Sequence, residues 1–166
     1  MFEKEVQDND MSRMHAKRLG RELAMQYLFE CEMREEIPSA AGFDAFFEQA
    51  AEEFKLGGNR TARKGREYAE KLYVAVTVNK DEIDETIRKR TENWDFDRIG
   101  CVDRNIMRIA VAEMLYDEAV PPVVSIDEAV AITRDYSDER ACDFVNGILN
   151  AVKGTLNRPE REGIKG

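Results

Sequence analysis

The sequence predicts an all-α protein, and three observations predict it. Only four prolines and ten glycines interrupt 166 residues, and long stretches are rich in Ala, Glu, Arg, Leu and Met, a composition that favours helices. Apolar residues recur three and four apart along most of the chain rather than alternating. The 43% of hydrophobic residues can fill one core, or two small ones packed together.

Taken in order, the first helix is expected from Ser12 or Met14 to Arg34, with Ser12 able to cap it. Residues 1–11 are mostly acidic or polar and read as a disordered tail. Ile37-Pro38-Ser39-Ala40 breaks the chain. Ser39 or Ala40 then opens a second helix through Phe43, Phe46, Phe47, Ala50 and Phe54. Leu56-Gly57-Gly58-Asn59 ends it, glycine supplying the left-handed residue that helix ends favour. A third helix runs from Thr61 to about Thr77, with Tyr68, Leu72, Ala75 and Val76 at helical spacing, and can continue, bent, through Asp81 to Arg90. Asn93-Trp94-Asp95-Phe96-Asp97 is a short link whose aromatics are expected to pin two halves together.

The second half is more regular. Val102, Ile106, Ile109, Ala110, Glu113, Met114 and Tyr116 belong to a helix from about Cys101 to Glu118. Pro121-Pro122 stops the chain and starts the next helix, proline being tolerated in a first turn. Ser125-Ile126-Asp127-Glu128 also fits a capping box, but Val123 and Val124 read as already packed, which favours the earlier start. That helix ends near Tyr136, and Ser137 or Asp138 caps the last one. Residues 157–166 are polar and expected to fray. The count comes to about seven helices in one domain, 12–156, with subdomains at about 12–92 and 93–156.

One dipeptide conflicts with its surroundings. Asn146-Gly147 between apolar pairs is a strong hairpin signal, yet Ala141, Val145, Ile148, Leu149 and Val152 recur at helical offsets. The pair is therefore expected inside a helix, where Gly costs roughly 1 kcal/mol relative to Ala. Close approach of another helix is the expected reason for both residues.

The net charge of −9 argues against a nucleic-acid partner on its own, but the charges are unevenly placed. Met11 to Arg21 carries Arg13, His15, Lys17, Arg18 and Arg21 with no acid. On a helix, Arg13, Lys17 and Arg21 form one stripe with Arg18 beside it, and Ala16, Leu19, Leu23 and Tyr27 fall on another face. A solvated surface is the plain reading of such a run. Clustering in so acidic a chain keeps an anionic partner open as the alternative, and cations at a helix N-terminus also oppose the macrodipole.

Other classes find little support. No apolar run approaches the roughly 20 residues that span a bilayer, and Met1-Phe2-Glu3-Lys4-Glu5 does not resemble a signal peptide. Cys31, Cys101 and Cys142 are widely spaced and His15 is the single histidine, so no zinc site or other metal site is expected. Reduced, buried thiols in a cytoplasmic protein fit better. There is no phosphate-cradling glycine loop and no nucleophile elbow. Neither catalytic residues nor cofactors are expected, and the sequence gives no reason to read an enzyme.

Four blocks, in order, carry a family resemblance. They are Arg21-Glu22-Leu23-Ala24-Met25-Gln26-Tyr27-Leu28-Phe29-Glu30; Asn93-Trp94 with Val102-Asp103-Arg104-Asn105-Ile106-Met107-Arg108-Ile109-Ala110-Val111-Ala112-Glu113-Met114-Leu115; Pro121 to Val130; and Phe144-Val145-Asn146-Gly147-Ile148-Leu149. Over roughly 13–156 the chain resembles the NusB family of transcription antitermination factors, residues 35–90 matching in helical character alone. The resemblance implies an all-α fold of two small helical bundles packed together. It implies binding of boxA-type single-stranded RNA together with the ribosomal protein NusE, within an RNA polymerase antitermination complex acting on ribosomal RNA operons.

The family's RNA contacts fall on Arg13, Lys17, Arg18 and Arg21 of the first helix, and on Arg108 and Phe144. Asp103 falls on the protein partner's side. Arg104 and Arg140 are further cations for the RNA, Arg140 standing where the family often has an acid. The competing readings are that Arg108 pairs with Asp103, Glu113 or another acid, and that Phe144 is core. Two rival functions stay open: the RNA-recognition domain of an rRNA methyltransferase, and a protein-binding scaffold that has lost RNA affinity. The first needs a downstream catalytic domain, and the sequence stops at Gly166. Monomer and homodimer are both compatible with the sequence, and no membrane partner is expected.

Overall fold

The computed structural model describes residues 2–91 and 96–156, with side chains from residue 15 onward in those ranges. Among them are seven α-helices, one short 3-10 turn and no strand, so the all-α expectation holds. The helices are α1 (Phe2–Arg34), α2 (Ala40–Glu53), α3 (Arg60–Val78), α4 (Lys80–Arg88), α5 (Cys101–Tyr116), α6 (Pro122–Tyr136) and α7 (Glu139–Lys153), with the turn at Phe96–Arg98. Helix α1 begins before Ser12 and takes in 2–11, the stretch expected as a tail. No proline precedes Pro38 to stop it. Asn93, Trp94 and Asp95 of the aromatic link, and the 157–166 tail, lie outside the described residues.

Capping explains most boundaries. The Ser39 hydroxyl accepts from the Gly42 N–H at 3.0 Å, Asn59 from Ala62 at 2.8 Å, and Asp138 from Ala141 at 2.8 Å, each replacing a bond the first turn lacks. The left-handed residues at helix ends are Glu35 (φ 55) and Lys55 (φ 53), and among the described residues no glycine has positive φ. That corrects the expectation for Gly57 and Gly58. Both ends close alike, with Glu36 N–H bonded to Cys31 O and Leu56 N–H to Ala51 O. Those bonds satisfy carbonyls the helix would otherwise leave open, which offsets the cost of a left-handed non-glycine residue.

The chain forms two compact units, Met1–Val74 and Ala75–Gly166. The division falls inside α3 rather than near 92–93, because α4 packs on α5 and α7 and buries Ile83 and Ile87 there.

In the first unit, α1 buries Leu23, Ala24, Met25, Tyr27 and Leu28, and α2 buries Phe43. The Tyr27 and Tyr73 rings meet edge-on at 5.1 Å, and Phe43 lies 5.0 Å from Tyr73. The Tyr27 hydroxyl donates to Ser39 O and accepts from Ser39 N–H, both at 2.9 Å, which pins the α1–α2 break. Helices α1 and α3 cross at glycines. A Cβ on Gly20 would stand 2.9 Å from Gly65 O and from Tyr68 Cβ, and one on Gly65 would stand 2.8 Å from Leu19 Cδ2.

In the second unit, α5 is buried continuously from Asn105 to Met114, since α4, α6 and α7 all pack on it. Helix α6 starts at Pro122 as expected, though Val124 is exposed. Ser125 caps nothing there: it is buried and donates to Glu113 Oε1 at 2.6 Å. Asn146-Gly147 lies within α7, so the helical expectation holds. The expected reason does not. Both residues are exposed, and a Cβ on Gly147 would meet nothing within 4 Å. The close helix crossing is at Gly20 and Gly65 instead.

Candidate nucleic-acid interface

The expected basic stripe of α1 divides on folding. Lys17 and Arg18 are half-exposed, whereas Arg21 is only 4% exposed. The glycine crossing brings Tyr68 of α3 against α1, and three cations gather at its ring: Lys17 at 5.3 Å, Arg21 at 5.7 Å and Lys71 at 5.9 Å from the centroid. Such contacts favour charge beside an aromatic face. Arg21 is thus held inside the unit, a correction to its place on the outward stripe. The Arg13 side chain lies outside the described residues. Because α1 starts at Phe2, these cations sit in mid-helix, and the expected opposition to the macrodipole, which acts within the first turn, does not arise.

Arg108 is the clearest correction. It is 5% exposed, with Nε donating to Asp84 Oδ1 at 2.7 Å, Nη2 to Asp84 Oδ2 at 3.0 Å and Nη1 to Asn105 Oδ1 at 3.1 Å. The competing ion-pair reading was right, with Asp84 of α4 as the acid. A bidentate pair inside the second unit leaves the guanidinium little capacity for an external phosphate. Arg104 is half-buried and donates to Ile99 O at 2.7 Å. Arg88, Arg104 and Arg108 lie 4.9, 5.8 and 5.6 Å from the centroid of buried Phe96, so this end of α5 is a cation–aromatic cluster with Arg88 exposed at its edge.

The expected residues of α7 differ in exposure. Arg140 is exposed in the first turn, and Phe144, one turn on, is half-buried rather than core. Beyond them Asn150 Nδ2 donates to Asn146 O at 2.8 Å and to Asn146 Oδ1 at 3.1 Å, beside the open surface over Gly147.

Asp103 lies half-buried in the first turn of α5, and its Oδ1 is buried with no hydrogen-bond partner among the described residues. Burial pushes its carboxyl above the usual range. A Ser137 hydrogen bond works against that shift, and nearby Asp138 adds to it. Burial also raises the Cys31 and Cys142 thiols, which makes them poor nucleophiles. Among the described residues no group of three His, Cys, Asp or Glu could hold a metal ion, and no helix is long and apolar enough to cross a membrane.

Sequence reasoning missed a second group of cations, Arg60, Arg63 and Lys64, all exposed on α3. The run Arg60-Thr61-Ala62-Arg63-Lys64-Gly65-Arg66 was the available signal.

Residues 18–153 match the model of the NusB family. The chain belongs to this family. It is 37% identical over 149 residues to the transcription antitermination protein NusB of Chloroherpeton thalassium, covering 90% of this chain and 65% of that one. Against the protein of the same name from Myxococcus xanthus it is 36% identical over 146 residues, 88% of this chain and 100% of the relative. A crystal structure of the antitermination factors NusB and NusE in complex with dsRNA matches 86% of this chain and 99% of its own, with TM-score 0.71 and 29% identity. The all-α architecture read from the sequence is therefore the architecture of its relatives.

Proposed function

We propose that this protein binds boxA-type single-stranded RNA of nascent transcripts together with a NusE-type ribosomal protein. The complex promotes read-through by RNA polymerase on ribosomal RNA operons, in the cytoplasm and without catalysis. The observation that carries the reading is the half-exposed pair Lys17 and Arg18 on α1, in a chain of net charge −9. The NusB relatives support it, as does the fold shared with a NusB bound to NusE and RNA.

Lys17 and Arg18, with Arg13 on sequence grounds, contact phosphates. Arg140 adds another such contact, and Phe144 stacks on a base. Asp103, a carboxylate with one oxygen unsatisfied, faces the basic protein partner. Because the field of the whole protein is repulsive to RNA, the partner raises affinity by adding cations.

The test is RNA binding over a salt series, with and without the ribosomal protein. Replacing Lys17 and Arg18 with Gln keeps good helix formers and should flatten the slope of log affinity against log salt by up to about 0.7 per phosphate. Phe144→Ala should cost roughly 1–3 kcal/mol of binding with little salt dependence. An unchanged slope in the Lys17/Arg18 variant, or equal affinity with and without the partner, refutes the reading.

A further inference from the structure

We infer that α3 carries a second phosphate-binding strip, Arg60, Lys64 and Lys71, which joins the cations of α1 at Tyr68 and lengthens the RNA path; the inference rests on the function proposed above. Residues 55–71 hold six Lys or Arg against two Glu, in a chain with 34 acids and 25 bases. At about 100° per residue, Arg60, Lys64 and Lys71 fall within roughly 40° of one another on the helix, with Tyr68 at the edge of the same face. All three are exposed. Lys17 of α1 and Lys71 of α3 both sit at the Tyr68 ring, 5.3 and 5.9 Å from its centroid. The Gly20–Gly65 crossing brings the two helix backbones close enough for this.

The pairing pattern separates Arg60 and Lys64 of this strip from the structural cations. Arg66 on the same helix is tied to Asp44 and Glu70, and Arg34 to Glu30. Arg60, Arg63 and Lys64 take part in no ion pair among the described residues. The first turn of α3 contains no acid, so Arg60 and its neighbours add positive charge to the positive end of a helix, an unfavourable arrangement that a bound anion reverses. Lys64 and Lys71 are about 10 Å apart along the axis, and Arg60 about 6 Å before Lys64, at 1.5 Å per residue. A row of cations at such intervals suits a polyanion better than a single carboxylate. Glu67 is the acid that α3 sets beside this strip, and it opposes the same ligand.

The test uses the full chain with the NusE-type protein and a boxA-type single-stranded RNA. Arg60→Gln with Lys64→Gln removes two exposed charges and keeps helix formers, so the fold should survive. Affinity at 0.1 M salt should fall by up to about fivefold for each phosphate no longer held, and the salt slope should flatten by up to about 0.7 for each. Glu67→Gln should bind more tightly, a gain that misfolding cannot imitate. If the α3 double variant and Glu67→Gln both bind as the wild type does while the Lys17/Arg18 variant is weakened, the α3 assignment is overturned and the proposed function stands. If the wild-type complex binds no RNA, both fall.

Discussion

Three helical glycines, Gly20, Gly65 and Gly147, should answer the same substitution with opposite signs. Replacing a helix-interior glycine with alanine gains about 1 kcal/mol from propensity alone. At Gly147 nothing offsets that gain, because the new methyl would meet no atom within 4 Å. Gly147→Ala should therefore stabilise the protein by about 0.5–1 kcal/mol. At Gly20 the methyl would lie 2.9 Å from Gly65 O and from Tyr68 Cβ. A backbone oxygen cannot step aside as a side-chain end can, and overpacking of this kind costs roughly 1–3 kcal/mol. After the propensity gain, Gly20→Ala should still lose about 1 kcal/mol or more. Gly65→Ala should lose less, since its closest neighbour is the flexible end of Leu19 at 2.8 Å, although Ala16 O at 3.2 Å limits the relief. Thermal unfolding followed by far-UV circular dichroism reads the order directly, with about 2–4 °C expected for each kcal/mol in a chain of this size. A destabilised Gly147→Ala protein, or a Gly20→Ala protein as stable as the wild type, would refute the close-crossing argument.

Two further predictions concern buried charge. Arg108→Ala leaves the Asp84 carboxylate buried without its bidentate partner and should cost about 3–5 kcal/mol in urea unfolding; a loss below about 1 kcal/mol would mean that the pair is solvated. Burial holds the Asp103 carboxyl above its ordinary pKa of 3.8, so between pH 3.8 and the higher folded value the native state binds more protons, and stability falls as pH rises through that window. Asp103→Asn should therefore be more stable than wild type at neutral pH, lose that advantage below pH 3.8 and, if the proposed function holds, bind the NusE-type protein less well. A variant no more stable than wild type at neutral pH would refute the stability argument.

Local pattern determined much of this protein. Helical periodicity, Pro122 in a first turn and the capping residues Ser39 and Asp138 are properties of short segments, and they placed the helices without knowledge of their neighbours. The same holds for Asn146-Gly147, whose flanks outvoted the hairpin signal. Family membership was legible because four blocks of residues stand in order along the chain. Which cations face outward was not legible. Periodicity puts Arg21 on the stripe with Lys17, but Tyr68, 47 residues later in the sequence, covers Arg21 once Gly20 and Gly65 let α1 and α3 touch. Arg108 likewise looked available until Asp84 of α4 met it inside the second unit. A charge's partner is fixed by packing between distant segments, whereas a helix is fixed by neighbours three and four residues away. Tertiary structure alone therefore separated the cations that hold the fold, Arg21 and Arg108, from exposed ones such as Arg60, Lys64 and Arg140.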